Sequence, residues 1–328
     1  VLVKTDGTPT YQFAHAVDDT LMGTTHVIRS DEWVSSVPVH LQLFYVLGLK
    51  PPKYAHVSPV MKEDGGAKRK LSKRKDPEAA VSYFVDEGYP KEAVLEYLLN
   101  LANSPFEDWR RQNKTADFHE YKLQLNKMSQ SGALFDLVKL ADVSAGVIAQ
   151  SPAEKITADV LEWAKGRDDA LEQAIARDPD YATAIFSIDR GGKKPRKDIR
   201  KWTDVHDFVS YFYDELRQPG YEMPDNVSRE DMAAILERYA QVYDESEDKD
   251  AWFARVKSIC EPLGFSPDVK AYKADPGAFK GHAGDVSTVT RVAITGRKNS
   301  PDLCAIMQLL GKERCLERME QMKKALQD

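Results

Sequence analysis

Two lysines stand three positions apart in a short basic segment, Lys70-Leu71-Ser72-Lys73-Arg74, which follows the glycine pair Gly65-Gly66. On a glycine-rich loop both ammonium groups can reach the phosphates of one nucleotide, because lysine is a flexible point charge that follows phosphate oxygens. The alternative is a solvated basic loop, since a five-residue motif also occurs by chance in unrelated proteins. The segment predicts a phosphate-binding loop if the residues around it agree.

The residues before this loop predict the elements that would position it. Residues 25–29 form a β-branched strand, residues 35–47 have helical spacing, and residues 53–57 form a second strand. A strand, a helix and a strand in this order make a βαβ unit, and hence a parallel sheet that binds ligands at the carboxyl ends of its strands. Arg29 and the segment 58–61 fall at those ends.

The remainder of the chain is predicted to be helical from Pro77 onward, because its apolar residues recur at helical spacing. Ser300 is predicted to cap a helix that has Pro301 at its first position and ends at Gly311. The other predicted helices cover residues 158–165, 169–177, 203–216 and 312–326, with a basic linker at 190–201. The pattern therefore predicts half of an α/β domain followed by a long helical body.

Composition limits the possible classes of function. The net charge of −6 over 328 residues argues against a protein that binds nucleic acid over its whole surface, although local basic patches occur at 68–75 and 190–201. No apolar run approaches the roughly 20 residues of a membrane span. Three widely spaced cysteines without a C-x-x-C pair predict reduced thiols in the cytoplasm and no metal site.

The basic loop resembles the KMSKS-type loop of class I aminoacyl-tRNA synthetases, in the form common among glutamyl enzymes. Segments in the same order along the chain support this resemblance: Pro9–Ala14, Thr25–Trp33, Tyr54–Val57, Asp86–Leu95, Arg291–Gly296 and Leu310–Glu313. The chain is identified as a member of the bacterial-type glutamyl-tRNA synthetase family on these segments. The HIGH-type motif of the family does not occur in the sequence, and residue 1 is expected to lie in the second half of the catalytic domain.

The resemblance implies a fold and a domain organisation. The expected fold is the C-terminal half of a Rossmann catalytic domain, followed by a predominantly α-helical stem-contact and anticodon-binding body. The expected division is a catalytic half-domain at 1–75, a helical stem-contact domain at 76–149, and two helical anticodon-binding subdomains at 150–240 and 241–328.

The resemblance also implies site residues. Lys70 and Lys73 are expected to be catalytic, with Lys73 stabilising the leaving pyrophosphate. The ATP-binding residues are expected to be Trp33, Val60, Met61, Lys70, Leu71, Ser72, Lys73 and Arg74. The glutamate-binding residues are expected to be Tyr11, Arg29 and His15. The anticodon-binding residues are expected to be Arg291, Ser300, Pro301 and Leu303.

Other interpretations of these residues remain open at this stage. Arg29 can instead form a structural salt bridge at a strand end, and His15 can be a neutral packing residue. Trp33 can be a core residue, and Ser300 can serve only as a helix cap. Asp18 and Asp19 are interpreted as turn and capping residues without a chemical role.

The implied function is glutamate–tRNA ligation. ATP, with Mg²⁺ carried by the nucleotide, would activate glutamate to glutamyl-adenylate, and the glutamyl group would pass to the 3′ end of tRNA-Glu. Without the HIGH-type half the chain is not expected to be catalytic alone, and a cytoplasmic monomer is expected. The alternatives are a stand-alone tRNA-binding module and a glutaminyl-tRNA synthetase, which the helical C-terminal body disfavours.

Overall fold

The computed structural model describes residues 1–128, 132–192 and 194–327. The chain divides into two compact units, Val1–Ser144 and Ala145–Asp328. The strands are β1 (His26–Ser30), β2 (Lys53–Val57), β3 (Met61–Asp64) and β4 (Ala67–Lys70). The helices up to the unit boundary are α1 (Tyr11–Leu21), α2 (Val37–Val46), α3 (Val81–Asp86), α4 (Lys91–Ala102), α5 (Pro105–Gln112) and α6 (Leu137–Gln150), which contains the boundary.

The helices of the second unit are α7 (Ala153–Ala164), α8 (Asp169–Arg177), α9 (Pro179–Ser187), α10 (Val205–Val209), α11 (Arg229–Val242), α12 (Lys249–Ser258), α13 (Val269–Ala274), α14 (Ala283–Thr295), α15 (Leu303–Leu310) and α16 (Lys312–Ala325). None of the helices in the described part of the chain is long and apolar enough to cross a membrane.

The predicted βαβ unit is confirmed. β1 and β2 pair in parallel with Arg29 opposite His56 and Ser30 opposite Val57, and α2 lies between them in sequence. The helix begins at Val37 because the residues just after β1 form a 3₁₀ helix, Asp31–Ser36, capped by the Ser30 hydroxyl. The carboxyl ends of the two strands therefore meet at one edge of the sheet.

The basic segment does not lie on a simple loop after β2, as the sequence predicted. Gly65 and Gly66 instead form the turn of an antiparallel hairpin, in which Met61 pairs with Lys70. Both glycines have positive φ angles, +59° and +82°, which residues with a side chain rarely adopt. The hairpin places Lys70 at the end of β4, where the loop begins.

The interpretation of Asp18 and Asp19 as turn residues is also wrong. Both lie inside α1, and the Asp19 carboxylate pairs with Nδ1 of His15 one helical turn earlier. The i, i+4 spacing on a helix brings such side chains together.

The second unit has one continuous apolar core. The helices α11, α14 and α16 pack on one another, and α7 packs on α8 and α9. The prediction of α8 is confirmed at both ends, whereas α7 begins five residues before the predicted start at 158. The predicted single helix at 203–216 is wrong, because α10 covers only Val205–Val209 and a 3₁₀ turn follows at Ser210–Phe212.

The predicted cap of α15 is wrong by two residues. The helix begins at Leu303, and the Asp302 carboxylate accepts a hydrogen bond from the Ala305 backbone N–H at 3.0 Å. The Ser300 hydroxyl donates instead to the carbonyl oxygen of Pro301 at 3.0 Å. The predicted end of this helix at Gly311 is confirmed.

Candidate functional site

Arg29 lies at the carboxyl end of β1, and one of its three guanidinium nitrogens has no hydrogen-bond partner among the described residues. Its Nε donates to Nε2 of His56 at 3.2 Å, and its Nη2 lies 3.1 Å from Nδ1 of His40. The guanidinium carbon lies 4.9 Å from the ring centre of Tyr54 and 5.6 Å from that of Trp33. Nη1 is buried and has no hydrogen-bond partner among the described residues. A buried donor of this kind favours an anionic ligand.

Aromatic side chains from α1 and β2 complete the surroundings of this guanidinium. The ring centre of Tyr11 lies 4.5 Å from that of Trp33 and 5.9 Å from that of His15. His15 is buried, with its Nε2 atom 2.7 Å from the Tyr54 hydroxyl and its Nδ1 atom paired with Asp19. The structure thus brings Tyr11, His15 and Trp33 together around Arg29, and we name these residues with His40, Tyr54 and His56 the arginine cluster.

Burial sets the protonation states in the arginine cluster. His40 is fully buried, and this burial, with smaller contributions from His15 and Arg29, lowers the pKa of His40 to about 4. Burial also lowers the pKa of His56 and raises the pKa of Tyr54. Near neutral pH the histidines His40 and His56 are therefore uncharged, and Arg29 is the fixed positive charge.

Sequence reasoning missed three residues of the arginine cluster, namely His40, Tyr54 and His56. His40 lies on α2, where Gln12 of α1 contacts its Nε2 atom. Tyr54 and His56 lie on β2, and both rings face the guanidinium of Arg29. The parallel register places His56 directly opposite Arg29, and Tyr54 stands two residues earlier on β2, where its side chain lies on the same face of the strand. No comparable pattern in the sequence points to His40.

The basic loop is joined to the segment after β1 by an ion pair. The Lys70 ammonium group donates to both carboxylate oxygens of Glu32 at 2.8 Å. Glu32 stands in the 3₁₀ helix three residues after Arg29. Both side chains are more than half exposed, and exposed pairs of this kind contribute little stability. The ammonium group is therefore available to a phosphate.

Val60 and Met61 lie beside the loop. The backbone N–H of Leu71 donates to the carbonyl oxygen of Val60 at 2.9 Å, while Met61 pairs with Lys70 in the hairpin. Lys73 and Arg74 are exposed at the turn that follows, and no ion pair to Lys73 occurs in the described part of the chain. The structure therefore brings Lys70 near the arginine cluster and leaves Lys73 at the tip of the loop.

In the second unit, the residues predicted to read the anticodon form one buried bend. The Arg291 guanidinium donates to the carbonyl oxygens of Ser300 and Pro301 at 3.2 and 2.8 Å and contacts the Ser300 hydroxyl. Ser300, Pro301 and Leu303 are buried. Burial lowers the pKa of Arg291. Arg291 thus fixes the backbone before α15, and its contact with a base stays a prediction.

A groove of about 430 Å³ borders this bend and is lined by polar side chains outside the predicted anticodon-binding set. Arg297 donates to Asp207, and Arg196 donates to Asp198 and to the side-chain oxygen of Asn299. Each arginine is therefore held in place by an acidic neighbour while lining the groove.

The basic linker at 190–201 is partly structural. The Arg190 guanidinium donates to the carbonyl oxygens of Phe186, Ile148 and Ser151, at 2.5, 2.7 and 3.1 Å. These carbonyl groups lie at the ends of α9 and α6, where helices leave acceptors without an internal partner. Lys193 of the same linker lies outside the described residues.

Two family descriptions match the sequence. Residues 1–142 match "tRNA synthetases class I (E and Q), catalytic domain", and residues 278–323 match "Anticodon binding domain". The first range contains the arginine cluster and the basic loop, and the second contains the bend at Ser300. These matches confirm the class, with a catalytic-domain match before an anticodon-binding match, while the division at residues 75, 149 and 240 stays a prediction.

The chain is also similar to curated proteins along almost all of its length. It is 49% identical over 323 residues to a glutamate–tRNA ligase of Clostridium perfringens (strain 13 / Type A), covering 97% of this chain and 59% of that protein. It is 45% identical to a glutamate–tRNA ligase of Sorangium cellulosum (strain So ce56), with the same coverage of both. The chain thus spans about three fifths of the length of these relatives.

Solved structures share the fold. A glutamate tRNA ligase from Elizabethkingia meningosepticum CCUG26117, determined in complex with its amino acid, superposes with a TM-score of 0.69 at 22% identity. The superposition covers 99% of this chain and 62% of that one. A glutamate–tRNA synthetase from Elizabethkingia anophelis superposes equally well at 21% identity. The predicted fold class, a partial Rossmann domain followed by a helical body, is confirmed.

Proposed function

Because the chain belongs to the class I tRNA synthetases of the glutamate and glutamine type, we propose that it supplies the glutamate-binding and anticodon-binding parts of a glutamate–tRNA ligase. The observation that carries the proposal is the free Nη1 donor of Arg29 inside the arginine cluster. A guanidinium fork pairs with a carboxylate through two parallel hydrogen bonds. The side-chain carboxylate of glutamate meets this requirement, whereas the uncharged amide of glutamine does not.

Tyr11, His15 and Trp33 shape the pocket for the amino acid. Tyr11 is 49% exposed and is the accessible wall of the arginine cluster. His15 is held by Asp19 and by the Tyr54 hydroxyl, so its role is to fix Tyr54 over Arg29 as much as to touch a substrate. Trp33 lies against Tyr11 and Arg29, between the amino-acid side and the ATP side of the site.

The loop lysines act on ATP in this proposal. The glutamate α-carboxylate attacks the α-phosphate, and pyrophosphate leaves with the developing negative charge. Lys70 and Lys73 stabilise that charge, with Leu71, Ser72 and Arg74 forming the loop and Val60 and Met61 its inner side. The Mg²⁺ ion arrives bound to the phosphates of ATP.

The second unit binds tRNA-Glu in this proposal. The buried bend at Ser300, Pro301 and Leu303 presents the start of α15, and Arg291 holds it in place. The match of residues 278–323 to an anticodon-binding domain supports this assignment. We also propose the four-part division at residues 75, 149 and 240, a monomeric state and a cytoplasmic location.

Pyrophosphate exchange by the full-length protein is the direct test. We expect exchange that depends on glutamate, ATP and tRNA-Glu, and none with glutamine in place of glutamate. We expect no exchange by the chain of residues 1–328 alone. Exchange that prefers glutamine would contradict the role of Arg29.

A stand-alone tRNA-binding module is the second candidate for the chain itself, favoured by the continuous core of the second unit. Filter binding of the chain to tRNA-Glu separates the two ideas. We expect Arg291→Ala to weaken binding because the bend before α15 loses its support, while Arg190→Ala should weaken binding only as far as it destabilises the unit. Binding untouched by Arg291→Ala would contradict the assignment of this surface.

A further inference from the structure

The β3–β4 hairpin carries two like charges directly opposite each other. Lys62 of β3 is paired with Arg69 of β4 in the antiparallel register. Like charges at such a position destabilise a hairpin unless an anion lies between them. The anions are Asp76 and Glu78, which are only 2% and 5% exposed and follow the basic loop in sequence.

Asp76 is the centre of this network. Its Oδ1 and Oδ2 atoms accept one hydrogen bond each from the two terminal nitrogens of Arg69, both at 2.7 Å. Lys62 lies 3.4 Å from Oδ1 and also contacts Glu78. The Arg69 guanidinium holds the pKa of the Asp76 carboxyl well below its usual range. The carboxylate is therefore charged near neutral pH.

The same carboxylate closes the base of the loop. Oδ2 of Asp76 accepts the backbone N–H of Ser72 at 2.8 Å. In return, the carbonyl oxygen of Ser72 accepts the backbone N–H groups of Asp76 at 2.8 Å and of Lys75 at 3.0 Å. These three bonds fold the residues between Ser72 and Asp76 into one turn. Lys73 and Arg74 project from it into solvent.

We propose that Asp76 is a positioning residue for adenylation, which fixes the base of the loop to the hairpin so that Lys70 and Lys73 are held ready for the phosphates of ATP. The catalytic effect of Asp76 rests on the proposed function, whereas the anchoring of the loop by Asp76 rests on the geometry alone. Preorganised charges stabilise a transition state without further reorganisation. A mobile loop would first have to be ordered, which raises the activation free energy.

The anchoring is tested on the chain of residues 1–328 by limited digestion with trypsin. The loop offers cleavable bonds after Lys73, Arg74 and Lys75, and Lys165 of the second unit provides an internal reference. Asp76→Asn keeps the shape but loses the charge, so we expect cleavage in the loop to accelerate about tenfold or more relative to the reference. The matched control is Asp64→Asn, because Asp64 accepts only the Nε of Arg69, at 2.6 Å, and does not touch the loop.

The catalytic consequence is tested by pyrophosphate exchange in the full-length protein. We expect Asp76→Asn to lower kcat by on the order of 100-fold, with KM for glutamate changed by less than about twofold. Asp76→Glu keeps the carboxylate and should restore part of kcat, and it also serves if Asp76→Asn folds poorly. Asp64→Asn should leave both parameters within about twofold of the wild type.

Two results would overturn the inference. One is a loop that trypsin cleaves no faster in Asp76→Asn than in Asp64→Asn. The other is faster cleavage with an unchanged kcat, which would leave Asp76 as a purely structural residue. A wild-type protein without glutamate-dependent exchange would instead contradict the proposed function, and the digestion would still decide the anchoring.

Discussion

The two units use their apolar and basic residues in different ways. Among the described residues, all but two of the exposed large apolar side chains lie in the first unit, the exceptions being Phe253 and Val269. The second unit buries its apolar residues in one continuous core, whereas the first has only a small core cluster around Tyr97, Phe135 and Leu140. The second unit is therefore built to be stable by itself, and the first is built around a polar site.

The arginines show the same difference. Arg190 and Arg291 of the second unit donate to backbone carbonyl groups and fix helix ends. Arg29 of the first unit lies among the rings of the arginine cluster and keeps one buried donor without a partner among the described residues. Arg190 and Arg291 thus hold the fold of the second unit, whereas the fold of the first unit leaves one donor of Arg29 unpaired.

Removal of a buried ring from each unit should give the largest effect and should show how tightly each unit is packed. Phe212 and Phe44 are at most 1% exposed. We expect Phe212→Ala to lower the free energy of unfolding of its unit by about 3–5 kcal/mol, because a continuous core leaves a cavity. Phe44→Ala should cost less, about 2–3 kcal/mol, because its helix exposes Val39 and Leu41 by 47% and 42% and can relax into the cavity. Native-state hydrogen exchange measures each unit separately, and equal losses would contradict the difference.

The comparison of the arginines is tested by kinetics and stability together. We expect Arg29→Ala in the full-length protein to lower kcat/KM for glutamate by about 100- to 1000-fold, because the side-chain carboxylate of the bound glutamate loses its partner. Arg29→Lys should lose less. Arg190→Ala is the matched variant, which should leave helix-end carbonyl groups unpaired and lower stability by about 1–3 kcal/mol. A loss of kcat/KM in Arg190→Ala together with a mere loss of stability in Arg29→Ala would contradict this difference between the arginines.

The first unit should also respond more strongly to acid. The pKa of His40 is about 4 in the folded protein and 6.5 ordinarily. Between these pH values the unfolded chain therefore binds a proton at His40 that the folded protein does not bind. Stability is full above pH 6.5 and falls by about 3 kcal/mol as the pH drops to 4. The protection factors of the amides in α2, which correct for the slower intrinsic exchange in acid, should fall over this range more than those in α14. His40→Gln is the control and should remove most of the difference.

The smallest effect is expected from the ion pair between Lys70 and Glu32. Both side chains are more than half exposed, so Glu32→Gln should change the stability of the first unit by less than about 1 kcal/mol. If Glu32 competes with phosphate for Lys70, the variant should lower KM for ATP in pyrophosphate exchange by a few-fold. A large loss of kcat would instead show that Glu32 takes part in adenylation, unlike the structural ion pairs of the second unit.

Much of the local structure was predictable from the sequence. The strands β1 and β2, the helix between them, α8 and the end of α15 at Gly311 follow from spacing and from capping residues. The structure of the region 203–216 was not predictable. Its helix ends at Val209, and a 3₁₀ turn follows whose side chains, including Phe212, are buried in the core. Hairpin and helix boundaries depend on contacts that a single segment does not contain.

Residue types in a fixed order were enough to predict the parallel strand pair and to carry the resemblance of the basic loop to that of the glutamyl-tRNA synthetases. Only the tertiary structure decided what surrounds Arg29, since His40 and Tyr54 come from different elements that meet in space. It also decided that Asp76, an ordinary acidic residue in the sequence, neutralises two opposed cations and closes the loop. Charge and burial act over distance in space, and the sequence records only distance along the chain.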